Sequence, residues 1–255
     1  MNEINSTPAT SHAQTLNDAA YLRERMAPRW RDVNYPHLRD LADWLRREAA
    51  TVSGEVFDFG CGGAPYRPLF AHCKRYVAAD IEKNPAVDVV LPGDGTSGQA
   101  SDSCDVVLST QVLEHIRDPQ AYVRECHRIL RARGQLILTT HGMFEEHGCP
   151  NDFQRWTARG LEELVTGCGF GKVTSYKLTT EMRAFAQLRN QMVLHFRAPG
   201  KPPLHFLLAS VRKFYGVIGV PCTNWLADRF PEQAVVPGNH PASLYVCVAV
   251  RAEKI

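Results

Sequence analysis

The chain lacks the marks of several function classes. Its eight cysteines, at 61, 73, 104, 126, 149, 168, 222 and 247, form no Cys-x-x-Cys pair, and their spacing fits no zinc pattern. An even count is no sign of disulfides in a chain of 255 residues, and several lie in strand-like or helix-like runs, where cysteine behaves as a small hydrophobe. A reducing, cytoplasmic compartment is the expectation. A surplus of one charge is missing too. The formal net charge is +2, so nothing forces a nucleic-acid or acidic-membrane partner. Arg23, Arg25, Arg29 and Arg31 cluster around Trp30, but such a run reads as a solvated helix face before it reads as a nucleic-acid patch. No Asn-Pro-Pro-Tyr-type motif for work on flipped bases occurs. Residues 1–17 are polar and Ser/Thr-rich with no apolar signal core, and are expected to be disordered.

What is present begins at residues 56–62, Val-Phe-Asp-Phe-Gly-Cys-Gly. A short apolar run ending in an acid suits a buried parallel strand. The glycines after it let the backbone turn tightly and approach a ligand with no Cβ in the way. Asp58 stands two residues before Gly60, where it can fix the loop or accept a hydrogen bond from a bound amine. A second apolar run, 76–79, ends in Asp80, and an acid there can take both hydroxyls of a ribose. Together these features ask for a nucleoside ligand. A dinucleotide fingerprint needs Gly-x-Gly-x-x-Gly, and Pro65 stands where its third glycine would be.

Asp58, Gly60, Cys61 and Gly62 together resemble motif I of the class I S-adenosylmethionine (SAM) methyltransferases, of the type 11-like family. Further stretches agree in order. Residues 104–109, Cys-Asp-Val-Val-Leu-Ser, read as the fourth strand, and Thr-Gln-Val-Leu-Glu-His-Ile-Arg-Asp-Pro at 110–119 resembles the loop after it. A helix-period segment at 121–130 closes on a basic turn at 131–134, a sound C-terminal signal, before a fifth strand at 135–140. The family's "Leu-Arg-Pro-Gly-Gly" turn is altered here, with Ala132 and Gln135 in place of Pro and the second Gly. The resemblance covers residues 50–180 well and the last third loosely. It implies SAM as cofactor, held by Asp58, Gly60, Cys61, Gly62, Asp80, Ile81, Asp94, Gly95, Ser109 and Gln111.

The fold class expected is α/β. A Rossmann-like, doubly wound, mostly parallel seven-stranded sheet would carry an antiparallel final strand, N-terminal helices and a helical insertion before the last strand. Residues 18–255 would form a single domain. The sixth and last strands, 173–178 and 244–250, should pair, yet about sixty residues separate them. This insertion, 181–240, holds two apolar helix-like stretches, 182–196 and 204–220. The second is too short, and too charged at Arg212 and Lys213, to span a bilayer. It reads as a lid or homodimer contact, or as a peripheral element facing lipid headgroups through Arg189, Arg197, Lys201, Arg212 and Lys213.

The loop at 140–157 carries two His, three acids, an Arg and aromatics where an acceptor should enter. Part of it, from His147 through Asp152 and Arg155 to Leu161, resembles a bacterial subgroup associated with cell-surface saccharides or secondary metabolites. An imidazole can take a hydroxyl proton near neutral pH. His147 is the first candidate base and His141 the second; Asp152 would orient an imidazole and Arg155 hold the acceptor. Against this, Asp152 and Arg155, three apart before a helix, can be a simple ion pair. Chelation of a metal by the two His with Glu145 or Glu146 has no diagnostic spacing, and no metal is expected. The function expected is O-methylation of a sugar-containing, lipid-linked or hydroxylated small-molecule acceptor. The alternatives are N- or C-methylation of another metabolite, a non-catalytic SAM-binding regulator, and an NAD-dependent oxidoreductase, which Pro65 disfavours.

Overall fold

The computed structural model describes residues 18–93, 95–148, 151–195 and 202–255. The expected disorder at 1–17, and Asp94, lie outside the described residues. The elements run α1 (Ala19–Met26), α2 (Tyr35–Ala49), β1 (Glu55–Phe59), β2 (Arg75–Asp80), β3 (Val89–Val90), β4 (Cys104–Thr110), α3 (Pro119–Ile129) and β5 (Leu130–His141). After them come α4 (Ala158–Gly167), β6 (Phe170–Thr180), α5 (Glu181–His195), α6 (Pro202–Phe214), α7 (Val220–Ala227), β7 (Val235–Pro237) and β8 (Tyr245–Lys254).

One sheet has the order β3-β2-β1-β4-β5-β8-β6-β7. Strands β1 to β5 pair parallel. Strand β8 enters antiparallel between β5 and β6. Its pairing with both neighbours confirms that the two ends of the long insertion meet in the sheet. An eighth strand is added: β7, a short piece of the insertion, pairs antiparallel with β6 at the edge.

Side chains alternate across each strand, and both faces of the sheet are covered. On one face Phe57, Phe59, Val107, Leu136 and Leu138 pack against α3 and α4. On the other, Val56, Val106, Leu108 and Ile137 meet Leu41, Trp44 and Leu45 of α2. Both α3 and α4 begin at sequence-encoded caps: Asp118 accepts from the Ala121 N–H at 3.0 Å, and Thr157 from the Gly160 N–H at 3.1 Å.

Regular strand–helix alternation does not hold in the first half. Only a 3₁₀ turn, Arg67–Phe70, separates β1 from β2. Pro65 and Pro68 restrict the backbone there, and Gly62 and Gly63 add entropy that a helix would have to overcome. Among the described residues between β3 and β4 there is no helix. The parallel strands still end together, and their carboxyl edge sets the site.

Candidate active site

The turn after β1 is tightly made. Gly60 has φ +89°, and a Cβ on it would stand 2.6 Å from Val112 Cγ2, so both backbone shape and space demand glycine. The Gly60 and Cys61 N–H groups donate to the Ala79 carbonyl at 2.8 and 2.9 Å. The Gly62 N–H donates to Asp80 Oδ2 at 2.7 Å, and Asp80 Oδ1 accepts from the Glu82 N–H at 3.0 Å. Asp80 thus clasps the glycine turn as well as ending β2. Beside it Ile81 is 53 % exposed, an open apolar surface at the strand's end.

Asp58 is buried. Its Oδ2 accepts from the Tyr76 hydroxyl, while Oδ1 has no hydrogen-bond partner. Burial pushes its carboxyl up to about 7; the Tyr76 hydrogen bond works the other way, and Asp80 adds to the rise. A buried acceptor left open is costly unless something fills it. Gln111, at φ +56°, has a similar gap: its amide nitrogen donates to Thr139 Oγ1 at 3.1 Å, while its Oε1 is buried and unpartnered. Gly95 has φ +87° and nothing near a Cβ, so it serves as a turn and makes no close approach. Ser109 faces the core instead of the edge. Its hydroxyl bonds Tyr122 at 2.9 Å, and Tyr122 donates to the Phe59 carbonyl at 2.9 Å.

The loop after β5 closes against the loop after β4. The Phe153 N–H donates to the Glu114 carbonyl at 2.8 Å, and Gln154 Nε2 to that of Ile116 at 2.9 Å. Asp152 and Arg155 form a two-pronged pair, with both contacts at 2.5 Å. Arg155 holds Asp152 down at about 2. The same guanidinium donates to the carbonyls of Glu145 at 2.8 Å and Phe144 at 3.2 Å, and Asp152 Oδ2 takes the His147 N–H at 2.9 Å. The pair is therefore a clamp that shapes residues 144–147. Arg155 is fully engaged within the loop, and Asp152 positions His147 mainly through its backbone, its carboxylate lying 3.4 Å from Nδ1.

His147 is half-exposed beside two other imidazoles, with ring centroids 5.1 Å from both His115 and His141. His141, the last residue of β5, is buried and stacked on Phe144 at 4.0 Å. Burial holds its imidazole well below the ordinary range, so it is neutral. Its Nδ1 has no partner. Glu114 Oε1 lies 3.3 Å from His141 Nε2 without hydrogen-bond alignment, and Glu114 Oε2 accepts from Thr140 at 2.8 Å. Burial pushes Glu114 up to about 7.

The β1 turn, the β4 loop and the β5 loop thus share one edge of the sheet. Residues 57–138 match the methyltransferase domain family. Over those residues the chain carries a methyltransferase domain, similar to that of the class I SAM-dependent methyltransferases. A ubiquinone biosynthesis O-methyltransferase of Pseudomonas aeruginosa (strain LESB58) is 27% identical over 138 residues, covering 46% of this chain and 60% of the relative. The chain therefore spans about 60% of the length of the first curated relatives it matches. A SAM-dependent methyltransferase structure from Archaeoglobus fulgidus aligns over 93% of this chain and all of its own, with TM-score 0.53 at 13% identity. The [4+2]-cyclase SpnF aligns over 84% of this chain and 80% of its own, with TM-score 0.50 at 16% identity. These last two likenesses show the fold alone, and the cyclase shows that the fold leaves the reaction open.

The residues at the methyltransferase domain's edge fit its cofactor. The open oxygen of Asp58 suits an ammonium group, while the N–H groups of the glycine turn are spent on Ala79 and Asp80. Asp80 and Ile81 offer a carboxylate and an apolar face to a nucleoside, and the open Gln111 carbonyl is a further acceptor. The matched segment ends at residue 138, before the His-rich loop.

Three participants escape sequence reasoning. His37, on α2, is buried with its ring 5.4 Å from His141 and 5.6 Å from Phe144. Burial pushes it down to about 3. No local signal marks it, since the contact spans 104 residues. Glu114 and His115 were visible only as shared loop wording. Yet Glu114, His115 and His147 can place one ligand atom each within 4.8 Å of the others, the separation a divalent ion would bridge.

Proposed function

We propose that this chain transfers the methyl group of SAM to a hydroxyl oxygen of a sugar-containing, lipid-linked or otherwise hydroxylated small molecule, with His147 as general base. The supporting observation is the acceptor loop. It presents a half-exposed imidazole, His147, fixed by Asp152 through the backbone, beside the buried ring of His141 and the half-buried ring of His115. Bound SAM supplies the electrophilic methyl. His147 takes the acceptor's hydroxyl proton as the new O–C bond forms. His141 and His37, both held neutral by burial, add no positive charge that would oppose protonation of His147. Arg155 keeps the loop in shape. Asp58, the Gly60–Gly62 turn, Asp80, Ile81 and Gln111 hold the cofactor.

Residues 18–255 act as one domain in this account, with 181–240 an insertion bounded by two neighbouring strands. The O-methyltransferase named among the curated relatives supports oxygen over nitrogen or carbon as the acceptor atom. The test is transfer of labelled methyl from SAM into an extract of the source organism, split into lipid, polysaccharide, small-molecule, nucleic-acid and protein fractions. Base-stable label in lipids, polysaccharides or hydroxylated metabolites supports the proposal. Label confined to protein or nucleic acid overturns it. SAM binding with no label in any fraction favours a regulator.

A further inference from the structure

Polarity in the insertion is inverted. On α5 the buried face carries Arg183, Gln187, Asn190 and Gln191, while Met182, Phe185 and Met192 point outward. On α7, Thr223 and Asn224 are buried while Trp225 and Leu226 are exposed. These buried polar groups are partnered, except for Gln191 Oε1. Arg183 grips Asp40 with contacts of 2.6 and 2.9 Å, and Asn190 donates to Asn224 at 2.8 Å. Asn224 in turn donates to the backbone of Trp30 and Asp32. This network docks the insertion on α2, and the apolar residues buried with it on α5 and α7 are small ones, Ala184, Ala186, Val220 and Ala227. Eleven of the seventeen large apolar side chains exposed among the described residues lie between 182 and 226. On α6 and the turn after it, Phe214 and Val217 are 64% and 69% exposed. Scattered exposed apolar residues need no explanation, but a concentrated patch does.

Charge says what covers it. Between Glu181 and Asp228 the sequence has no acidic residue; of its six basic ones Arg183 is spent on Asp40, which leaves Arg189, Arg197, Lys201, Arg212 and Lys213. Arg212 and Lys213 are exposed within the apolar surface itself. A second copy in a two-fold contact would set this patch against itself, opposing like charges with no acid to relieve them. An anionic bilayer supplies both apolar depth and opposite charge. No described helix is long and apolar enough to cross a membrane, so the fit is to lying on the surface.

We infer that α5, α6 and α7 form a docking surface for an anionic lipid bilayer. The inference rests on and extends the lipid-linked acceptor proposed above. It also has a route to the site, because His195 at the end of α5 holds Glu145 of the acceptor loop at 2.6 Å. Its test needs no methyl transfer, so the two can fail separately.

The experiment is co-sedimentation of the full chain with vesicles of phosphatidylcholine alone or mixed with phosphatidylglycerol. Binding is expected on the mixed vesicles only, weakening with salt. The Arg212→Ser/Lys213→Ser variant should lower partition about 30-fold. Leu207→Ser/Phe214→Ser/Val217→Ser should abolish it while leaving SAM binding and melting temperature in place. Three results would overturn the inference. One is no binding to mixed vesicles. Another is binding that survives the triple apolar variant. The third is an equilibrium dimer, seen by sedimentation, that the triple variant dissociates, which would assign the face to a second copy.

Discussion

The sharpest prediction concerns Asp58. Its carboxyl lies near 7 because it is buried, and Oδ1 waits without a donor. If that oxygen receives the cofactor's ammonium, the carboxylate is the binding form. Ammonium binding must then draw the proton off Asp58. With a midpoint near 7, about 1% of the free protein is in that form at pH 5 and about half at pH 7. Apparent affinity scales with the competent fraction, so SAM binding should tighten about 50-fold between those values. Above pH 7 the gain flattens to about twofold. Calorimetric titration with SAM across pH 5 to 7 reads the slope. Repeating it at pH 6.5 in buffers of different ionisation enthalpy should show about 0.8 proton released per site. Asp58→Asn keeps the shape and removes the charge. It should bind about 10- to 100-fold more weakly at pH 7, the range of a charged hydrogen bond, and lose the pH slope. A flat wild-type profile, or an Asn variant that keeps the slope, would remove Asp58 from cofactor binding.

Two further changes probe the acceptor loop. His147→Ala should cut turnover about 10²- to 10⁴-fold, the usual contribution of a general base, with SAM affinity unchanged; equal turnover would take His147 out of the mechanism. A chelator should leave wild-type turnover intact on this account, whereas loss of activity restored by a divalent ion would recast Glu114, His115 and His147 as ligands. Arg155→Ala strands the carboxylate of Asp152, whose side chain is only 2% exposed. Half-exposure of Arg155 tempers the loss, so about 2 kcal/mol of stability should go, read by denaturant unfolding. Turnover should fall more than SAM affinity, because residues 144–147 lose their clamp. A variant with normal stability would show that the loop holds itself.

Much of the fold is legible in the sequence because both faces of the sheet are covered. Strands β1, β2, β4 and β5 read as short apolar runs, and α3 and α4 start on their own capping residues. What is missed depends on weaker or distant forces. Strand β7 is three residues long and exists only through its pairing with β6. The missing crossover after β1 was encoded by Pro65 and Pro68, but overall periodicity outweighs two prolines in a reading by pattern. Ser109 looks like an edge residue by position, yet strand alternation turns its hydroxyl into the core.

The site divides the same way, and the division has a physical cause. Asp58, Gly60, Gly62 and Asp80 are legible because their spacing is the geometry: two strands, one turn and a clasp between Gly62 and Asp80. The acceptor side is built by long-range contacts. His37 comes from α2, His115 from the β4 loop, His141 and His147 from β5 and beyond, and only folding assembles the ring cluster. Burial then sorts those imidazoles. His37 and His141 are held neutral, while His147 keeps access to solvent. Chemically similar residues thus receive different environments from the fold. The insertion shows the converse limit. Its inverted faces cannot be read from periodicity, because an apolar stripe does not say which way it points. The buried Arg183–Asp40 pair decides that, by fixing the polar side of α5 inward and turning Met182, Phe185 and Met192 outward.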